Sequence, residues 1–444
     1  MRGLASLLDL FRQRGRRARV ALVYGATRLT FAQLSARIRT EAERWTRRGL
    51  RAGDRALIVM HARPSAVVQA LSAAAAGATI CLERPNGNEQ ILLRARALGA
   101  AWVADGAQRQ RVATAGKPPL PEGTEVVLCT SGTMSQPRAV AHCWERLILN
   151  ASMHAVAVGM RPTDVVGVHA SPGYSAVLVA QLLAALVVGA SVTFVAHRGF
   201  PHRLPALLAS RGVTMLALLP ALLEPFAAGL LQLGLRQAPA LRMVTVGGDV
   251  VTAKHEAILR ALAQKGLEAW VTYGLTEAGP RVTARRVSPS RSAQVGALGK
   301  ALHDVALAVL QSDGTVGRAG RGELLVATPT AMLSRGDPRD WLEGTRWLRT
   351  GDKVELSRSG PRFLRRLRAP YKVAGTLVDP NELKRLVGAL PSIAAARVTG
   401  RWRRGMRPII RVELRPGADA STTFERLRAE LSGVERCLVV AARG

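Results

Sequence analysis

Thr130-Ser-Gly-Thr133, followed by Ser135, Pro137 and Arg138, sets small hydroxyl and glycine residues directly behind an apolar run, Val126–Cys129. The apolar run reads as a buried strand, and Pro137 stops an immediate helix. Such a loop can turn backbone N–H groups and hydroxyls toward an anion. Arg138 adds a fixed charge whose forked donors suit phosphate. The Gly-Lys-Ser/Thr ending of a Walker loop is absent. A phosphate-gripping loop and an ordinary turn between two strands are equally open readings of this stretch. A second chemical cluster is Tyr273-Gly-Leu-Thr-Glu277. There an aromatic ring can lie on a base, Thr276 can bond phosphate, and Glu277 can hold a hard cation such as Mg2+. A buried tyrosine beside a surface glutamate would look the same.

Alternating elements surround these clusters. Thr30 is placed to cap a helix within Leu29–Leu50, with Phe31, Leu34, Ile38 and Ala42 on one face. Strand readings at Ala56–Met60 and Ala78–Leu82 enclose an Ala-rich helix, Ser65–Ala76. Glu89–Leu98 and Glu145–Val158 read as helices, and Ala101–Ala104 and Val165–His169 as strands. Helices at Leu204–Arg211 and Ala221–Leu231 alternate with strands at Met215–Leu219, Met243–Val246 and Ala269–Thr272. This β-α-β alternation predicts doubly wound sheets. In open α/β sheets ligands sit beyond the carboxyl ends of strands. Ser171-Pro-Gly-Tyr-Ser175, Gly247-Gly248-Asp249 and Tyr273–Glu277 each follow a strand reading. Tyr174 and Ser175 are thus pocket candidates, and Gly247-Gly248 allows a flat ligand to approach the backbone.

The chain has 444 residues, which suggests two or three units, and 48% hydrophobic residues, enough for a large core. Its net charge of +32 raises the question of nucleic acid. The arginines are scattered, however, and aromatics are only 4%, so base-stacking patterns are absent and a basic solvated background is the preferred reading. Cys81, Cys129, Cys143 and Cys437 form no CxxC pair, which fits a reduced, cytoplasmic chain without a zinc site. Asp9 and Arg12 interrupt the N-terminus too early for a signal-peptide core. Ala176–Ala196 is uncharged and long enough to cross a bilayer. Gly189-Ala190 divides it, and we read a buried helix, Val177–Val188, followed by a buried strand, Ser191–Val195, with no membrane span.

Taken in order, Thr130–Val140, Gly247-Gly248, Tyr273–Glu277 and Leu348-Arg-Thr-Gly-Asp352 resemble the acyl-adenylate-forming enzymes. That superfamily of AMP-dependent synthetases and ligases includes acyl-CoA synthetases, aryl-CoA ligases and peptide-synthetase adenylation domains. Arg28–Leu34, Gly49–Arg55, Val295–Lys300 and Gly322–Val326 extend the resemblance over nearly the whole chain. It implies ATP-dependent activation of a carboxylic acid to an acyl-adenylate, then transfer to the thiol of CoA or a carrier-protein phosphopantetheine. The cofactors implied are ATP and Mg2+.

The resemblance also implies roles. Thr130, Ser131, Gly132 and Thr133 would grip phosphate, with Arg138 in the place of the family lysine. Gly247 and Gly248 would lie along adenine, Tyr273 on the base, Thr276 at the α-phosphate, Glu277 on the metal and Asp352 on the ribose hydroxyls. Arg366 would reach ribose and phosphate, and Lys372 matches a lysine behind the hinge. Thr133, Arg138, Thr276 and Glu277 form the implied catalytic set. Tyr174, Ser175, Val246, Thr272 and Gly279 are the expected walls of the acid pocket. They are small and mostly neutral, and no placed cation demands an amino-acid or dicarboxylate substrate; an aryl or medium-chain acid is the expectation.

The chain departs from the family text at Met134, Ser135 and Ala139 in the loop and at Arg368, where an aspartate is usual at the hinge. Lys372, Gly375, Pro380 and Glu382 match. The family's small domain normally ends in a Gly-Lys segment, whereas the last lysine here is Lys384. Three readings follow: a working ligase, a binding protein that kept the pocket, or a ligase half completed by a partner chain. The first is preferred, because the loop, Glu277, Asp352 and Arg366 are all present. The expected architecture is an α/β domain of residues 1–366, with two α/β sheets and a smaller β region near 285–360. A short mobile α/β lid, 367–444, would follow.

Overall fold

A computed structural model of the chain describes residues 2–114, 116–130, 138–195, 204–234, 240–290, 292–334, 340–367, 371–373, 376–378, 390–399, 409–430 and 438–441. It divides into two compact units, Met1–Cys129 with Ala139–Arg365, and Thr130–Arg138 with Arg366–Gly444.

Among the described residues the first unit holds three sheets. A run of six parallel strands forms the centre of the largest, in the order Glu268–Tyr273, Met243–Gly247, Met215–Leu218, Val165–Val168, Ser191–Phe194 and Val20–Tyr24. Antiparallel strands extend both edges, so the sheet has nine strands. Its central strands are near-continuous apolar runs because both faces are covered. Met215 and Met243 join the core under helix Trp144–Val158, while Leu216, Leu218, Val244 and Val246 join the core under helices Pro220–Leu233 and Ala253–Gln264.

The second sheet has six strands, ordered Gln108–Arg111, Trp102–Asp105, Arg55–Val59, Thr79–Glu83, Val126–Thr130 and Arg138–His142. Ala56, Ile58, Ile80 and Leu128 share one core with Val166 and Val192 of the first sheet, so helices such as Phe31–Arg47 and Pro64–Ala75 pack into a layer common to both. Thr30 caps the first of these helices: its hydroxyl accepts the N–H of Gln33, whose side chain returns to the Thr30 N–H. The third sheet is antiparallel, five-stranded, and spans Ala306–Arg366. Its strand Leu348–Ser357 alternates strictly, burying Leu348, Thr350, Asp352, Val354 and Leu356 on one face.

Within the second unit, Tyr371–Val373 and Thr376–Val378 form a hairpin. Ile393–Thr399 and Leu438–Ala441 flank Ile409–Leu414 in a three-stranded sheet, and Ala420–Glu430 is a helix. Arg368, the expected hinge residue, and Gly375, Pro380, Glu382 and Lys384 lie outside the described residues.

The uncharged stretch resolves as two core elements, since Gly189 sits at φ 88° and ends the helical part before strand Ser191–Phe194. The helical part is not uniform: Leu178–Leu183 is a π-turn between short α segments. Among the described residues no helix is long and apolar enough to cross a membrane. The sequence reading did not include strands Val20–Tyr24 and Thr27–Thr30, because the first owes its place to a distant parallel partner, Ser191–Phe194.

Four parallel strands are tied together at their amino ends. Asp164, only 3% exposed, accepts from Arg242 Nε at 2.8 Å and Nη2 at 2.6 Å and from the Thr214 hydroxyl at 2.8 Å. Arg242 Nη1 also donates to Glu268 Oε1 at 3.1 Å. Burial opposes charge on Asp164, yet the Arg242 and Thr214 donors and the Arg161 N–H hold its carboxyl below the ordinary range. Arg242→Met would leave this carboxylate buried without its cation. The expected cost is about 3–5 kcal/mol, read as a lower urea midpoint at unchanged slope.

Candidate functional site

The site is built around the return of the chain from strand Glu268–Tyr273 into strand Thr283–Arg286. The loop closes where the Val282 N–H donates to the Tyr273 carbonyl at 2.9 Å. Inside it, Thr276–Ala278 makes one 3-10 turn that ends at Gly279, φ 107°. Gly274 passes so near Pro280 that a Cβ there would lie 1.7 Å from the Pro280 carbonyl oxygen. Gly279 is similarly confined, since a Cβ would meet the Thr330 carbonyl oxygen at 2.6 Å. Neighbouring elements hold the loop from outside. Met332 N–H donates to the Glu277 carbonyl at 2.8 Å, and the Thr330 hydroxyl to the Ala278 carbonyl at 2.7 Å. Asn150, fully buried on helix Trp144–Val158, accepts the Arg281 N–H and donates to the Arg281 carbonyl, both at 2.9 Å.

This scaffold presents several of the expected side chains together. The Tyr273 hydroxyl donates to Asp352 Oδ2 at 2.8 Å, joining the end of the nine-stranded sheet to the five-stranded one. Asp352 is 3% exposed and stands in the buried row of its strand. Ser175 and Thr276 share a hydroxyl–hydroxyl bond of 2.8 Å, so the loop after Val165–Val168 meets the loop after Glu268–Tyr273. The Thr276 carbonyl accepts from His142 Nε2 at 2.9 Å, which requires the Nε2–H tautomer. His142 is wholly buried, and its Nδ1 has no hydrogen-bond partner among the described residues. Burial, with Arg146 nearby, drives its pKa down to about 4.

Other expected residues stand apart from this group. Val246 and Thr272 are enclosed, at 0% and 3% exposure. Gly247 must be glycine for a structural reason: a Cβ would meet the Thr272 carbonyl oxygen at 2.3 Å. Gly248 adopts φ 85° beside Leu219. Tyr174 is 46% exposed and engages Arg84, whose Nη1 donates to its hydroxyl at 2.9 Å and whose guanidinium carbon lies 4.7 Å from its ring centroid. Glu83, Pro85, Asn86 and Ser171 line a cavity of about 280 Å3 with this pair. Thr130 ends strand Val126–Thr130, exposed Arg138 begins the next, exposed Arg366 ends Gly360–Arg366, and Lys372 lies in Tyr371–Val373. Ser131, Gly132 and Thr133 lie outside the described residues.

Sequence reasoning missed His142, Asn150, His154, Arg281 and Thr330. A signal was available for two of them: Asn150 and His154 are one turn apart on the inward face of an otherwise apolar helix. Among the described residues no group of three or more His, Cys, Asp or Glu converges as a metal site. Glu277 would offer a single hard oxygen ligand, which would suit Mg2+ held largely by water and phosphate oxygens.

An open α/β sheet that gathers an aromatic ring, hydroxyls and a buried carboxylate beyond its carboxyl strand ends belongs to the class of ligand-binding doubly wound proteins. Residues 84–334 match the AMP-binding enzyme family, over half of the chain, and the chain belongs to that family. It is 26% identical over 310 residues to the long-chain-fatty-acid–CoA ligase FadD13 of Mycobacterium tuberculosis, covering 67% of this chain and 60% of that protein. The chain thus spans about 60% of the length of the first curated relatives it matches. A 2-succinylbenzoate–CoA ligase of Bacillus subtilis is 24% identical over 411 residues, 86% of this chain and 82% of that one. A fatty acid–[acyl-carrier-protein] ligase, ScoC of Streptomyces coeruleorubidus, is 30% identical over 233 residues, 48% and 43% of the two chains. Among solved structures, the Mycobacterium tuberculosis fatty acyl CoA synthetase superposes with a TM-score of 0.70 at 20% identity, over 99% of this chain and 94% of that one. The O-succinylbenzoate coenzyme A synthetase of Bacillus subtilis in complex with AMP gives 0.69 at 21%, with the same coverage. These structures share the fold.

Two outcomes are expected. Gly274→Ala forces a methyl into the Pro280 carbonyl, and the backbone cannot yield without opening the loop. Stability should fall by about 3 kcal/mol, measured by urea denaturation. His142 gives the second, a loss of stability in acid. Its folded pKa, about 4, lies below the unfolded value near 6.5, so the unfolded state takes up the proton first. Stability should be intact above about pH 6.5 and decline by a few kcal/mol as pH falls toward 4. His142→Gln should make that decline shallower in urea midpoints taken across this range, leaving the share that buried His154, its pKa driven down to about 3, contributes.

Proposed function

We propose that the protein activates a carboxylic acid with MgATP and passes the acyl group to a thiol. A carboxylate oxygen attacks the α-phosphorus, the bond to the bridging oxygen breaks, and pyrophosphate leaves. A thiolate of CoA or of a carrier-protein phosphopantetheine then attacks the acyl carbonyl and expels AMP. The observation that carries this reading is the Tyr273–Asp352 hydrogen bond of 2.8 Å. It sets an aromatic face and a buried carboxylate from two sheets at one point, three residues before Thr276-Glu277. A nucleoside needs that pair, a surface for the base and an acceptor for ribose hydroxyls. Family membership and the named ligases among the relatives support the same chemistry.

In this reading the hydroxyls and N–H groups of Thr130–Thr133 grip the pyrophosphate end, and Arg138 neutralises charge there. Gly247 and Gly248 edge the adenine, and Arg366 and Lys372 are the residues that the family resemblance assigns to ribose and phosphate. Thr276 bonds the α-phosphate, its carbonyl already held by His142. Glu277 would hold Mg2+, which when bound supplies charge neutralisation at the phosphates. Ser175, bonded to Thr276, and Gly279 border the space left for the acid.

Pyrophosphate release from ATP with a panel of carboxylic acids tests the proposal. Release should require an acid, and Glu277→Gln should lower kcat/KM by about 100-fold or more with the fold intact. If no acid elicits release while ATP still raises the Tm, the chain is a nucleotide-binding protein and the proposal is wrong.

A further inference from the structure

Arg281 is a buried charge of the first unit that nothing among the described residues answers. It is 6% exposed, and its backbone N–H and carbonyl are both held by Asn150. Its guanidinium has no acceptor among the described residues: Nε is buried without a partner, and no carboxylate forms an ion pair with it. Several other deeply set arginines of this unit are answered, although Arg260 Nε is also buried without a partner among the described residues. Arg242 meets Asp164, Arg285 meets Glu256 at 2.7 Å, and Arg94 meets Glu83 at 2.7 Å. His154, one helical turn beyond Asn150 and 3% exposed, feels the positive charge of Arg281 and is likewise unpartnered at Nδ1. Burial, reinforced by Arg281, drives the His154 pKa down to about 3, so its ring is neutral at ordinary pH.

A buried guanidinium with open donors is costly, and folds do not retain one for stability. It suits a planar anion that accepts two of its N–H groups. Its position narrows which anion. Arg281 follows Glu277 by four residues and Gly279 by two, on the same pinched loop, and Asn150 and Thr330 fix that loop from behind. We propose that Arg281, with the His154 imidazole beside it, receives a second carboxylate on the acid substrate, so that the acid taken is a dicarboxylate. This rests on the acid-activation reading for the identity of the ligand. It departs from the neutral-pocket expectation drawn from the sequence, which did not weigh Arg281.

The experiment compares matched acids, adipate against heptanoate and terephthalate against 4-methylbenzoate, with the wild type, Arg281→Met and Arg281→Lys. Pyrophosphate release and calorimetric titration of each acid are both measured. The dicarboxylates should exceed their methyl-ended partners by about tenfold or more in kcat/KM. Arg281→Met should reverse that order, and Arg281→Lys should keep part of it. Release with monoacids at a ratio unchanged by Arg281→Met overturns this inference and leaves the acid-activation reading standing. If no acid supports release, the titrations decide: dicarboxylate binding lost in Arg281→Met upholds the anion site, and equal or absent binding overturns it. Saturation by chloride with equal effect on both acids marks an adventitious anion only and also overturns it. Without ligand, Arg281→Met should melt no lower than the wild type. A clear fall in Tm would assign the guanidinium a structural role and overturn the proposal.

Discussion

The backbone crossing at Gly274 and Pro280 is the constraint from which the site follows. With 1.7 Å between a virtual Cβ and the Pro280 oxygen, the chain can only pass there as glycine. The crossing turns the strand back on itself within nine residues, from Tyr273 to the Val282 N–H. Tyr273 must then face the five-stranded sheet, Thr276 must face Ser175, and Arg281 must enter the layer under Asn150. Each orientation comes from one closed loop rather than from separate local preferences.

Polar groups in this unit are buried in two different ways. At the amino ends of the parallel strands, Asp164, Thr214, Arg242 and Glu268 satisfy one another, and the network locks strand register. Near the carboxyl end, His142 leaves Nδ1 open, His154 leaves Nδ1 open, and Arg281 leaves its donors open. A low-dielectric interior makes unmet groups expensive. These three stand on or beside one loop, while other unmet buried groups, among them Trp45 Nε1, Trp102 Nε1 and Arg260 Nε, lie elsewhere in the unit.

Most elements were legible beforehand because they are local. Helix Phe31–Arg47 announced itself through Thr30 and its apolar spacing, and the central strands through short apolar runs between glycines. The division of Ala176–Ala196 was legible from Gly189 alone. Strand Val20–Tyr24 was not, since it needs Ser191–Phe194 beside it, and neither was the π-turn at Leu178–Leu183. Gly247 was read as a glycine for a ligand, whereas the crowding of Thr272 already accounts for it.

The sequence by itself determined the alternation of elements, the motif order that places the chain in its family, and the candidate residues of the nucleotide site. Those depend on residue type and spacing along the chain. Tertiary structure alone decided that Tyr273 reaches Asp352, that His142 holds the Thr276 carbonyl, and that Arg281 is enclosed without an acid beside it among the described residues. These are relations between residues 79, 134 and 131 positions apart, or the lack of such a relation. No periodicity encodes which distant side chains a closed loop will bring within 3 Å.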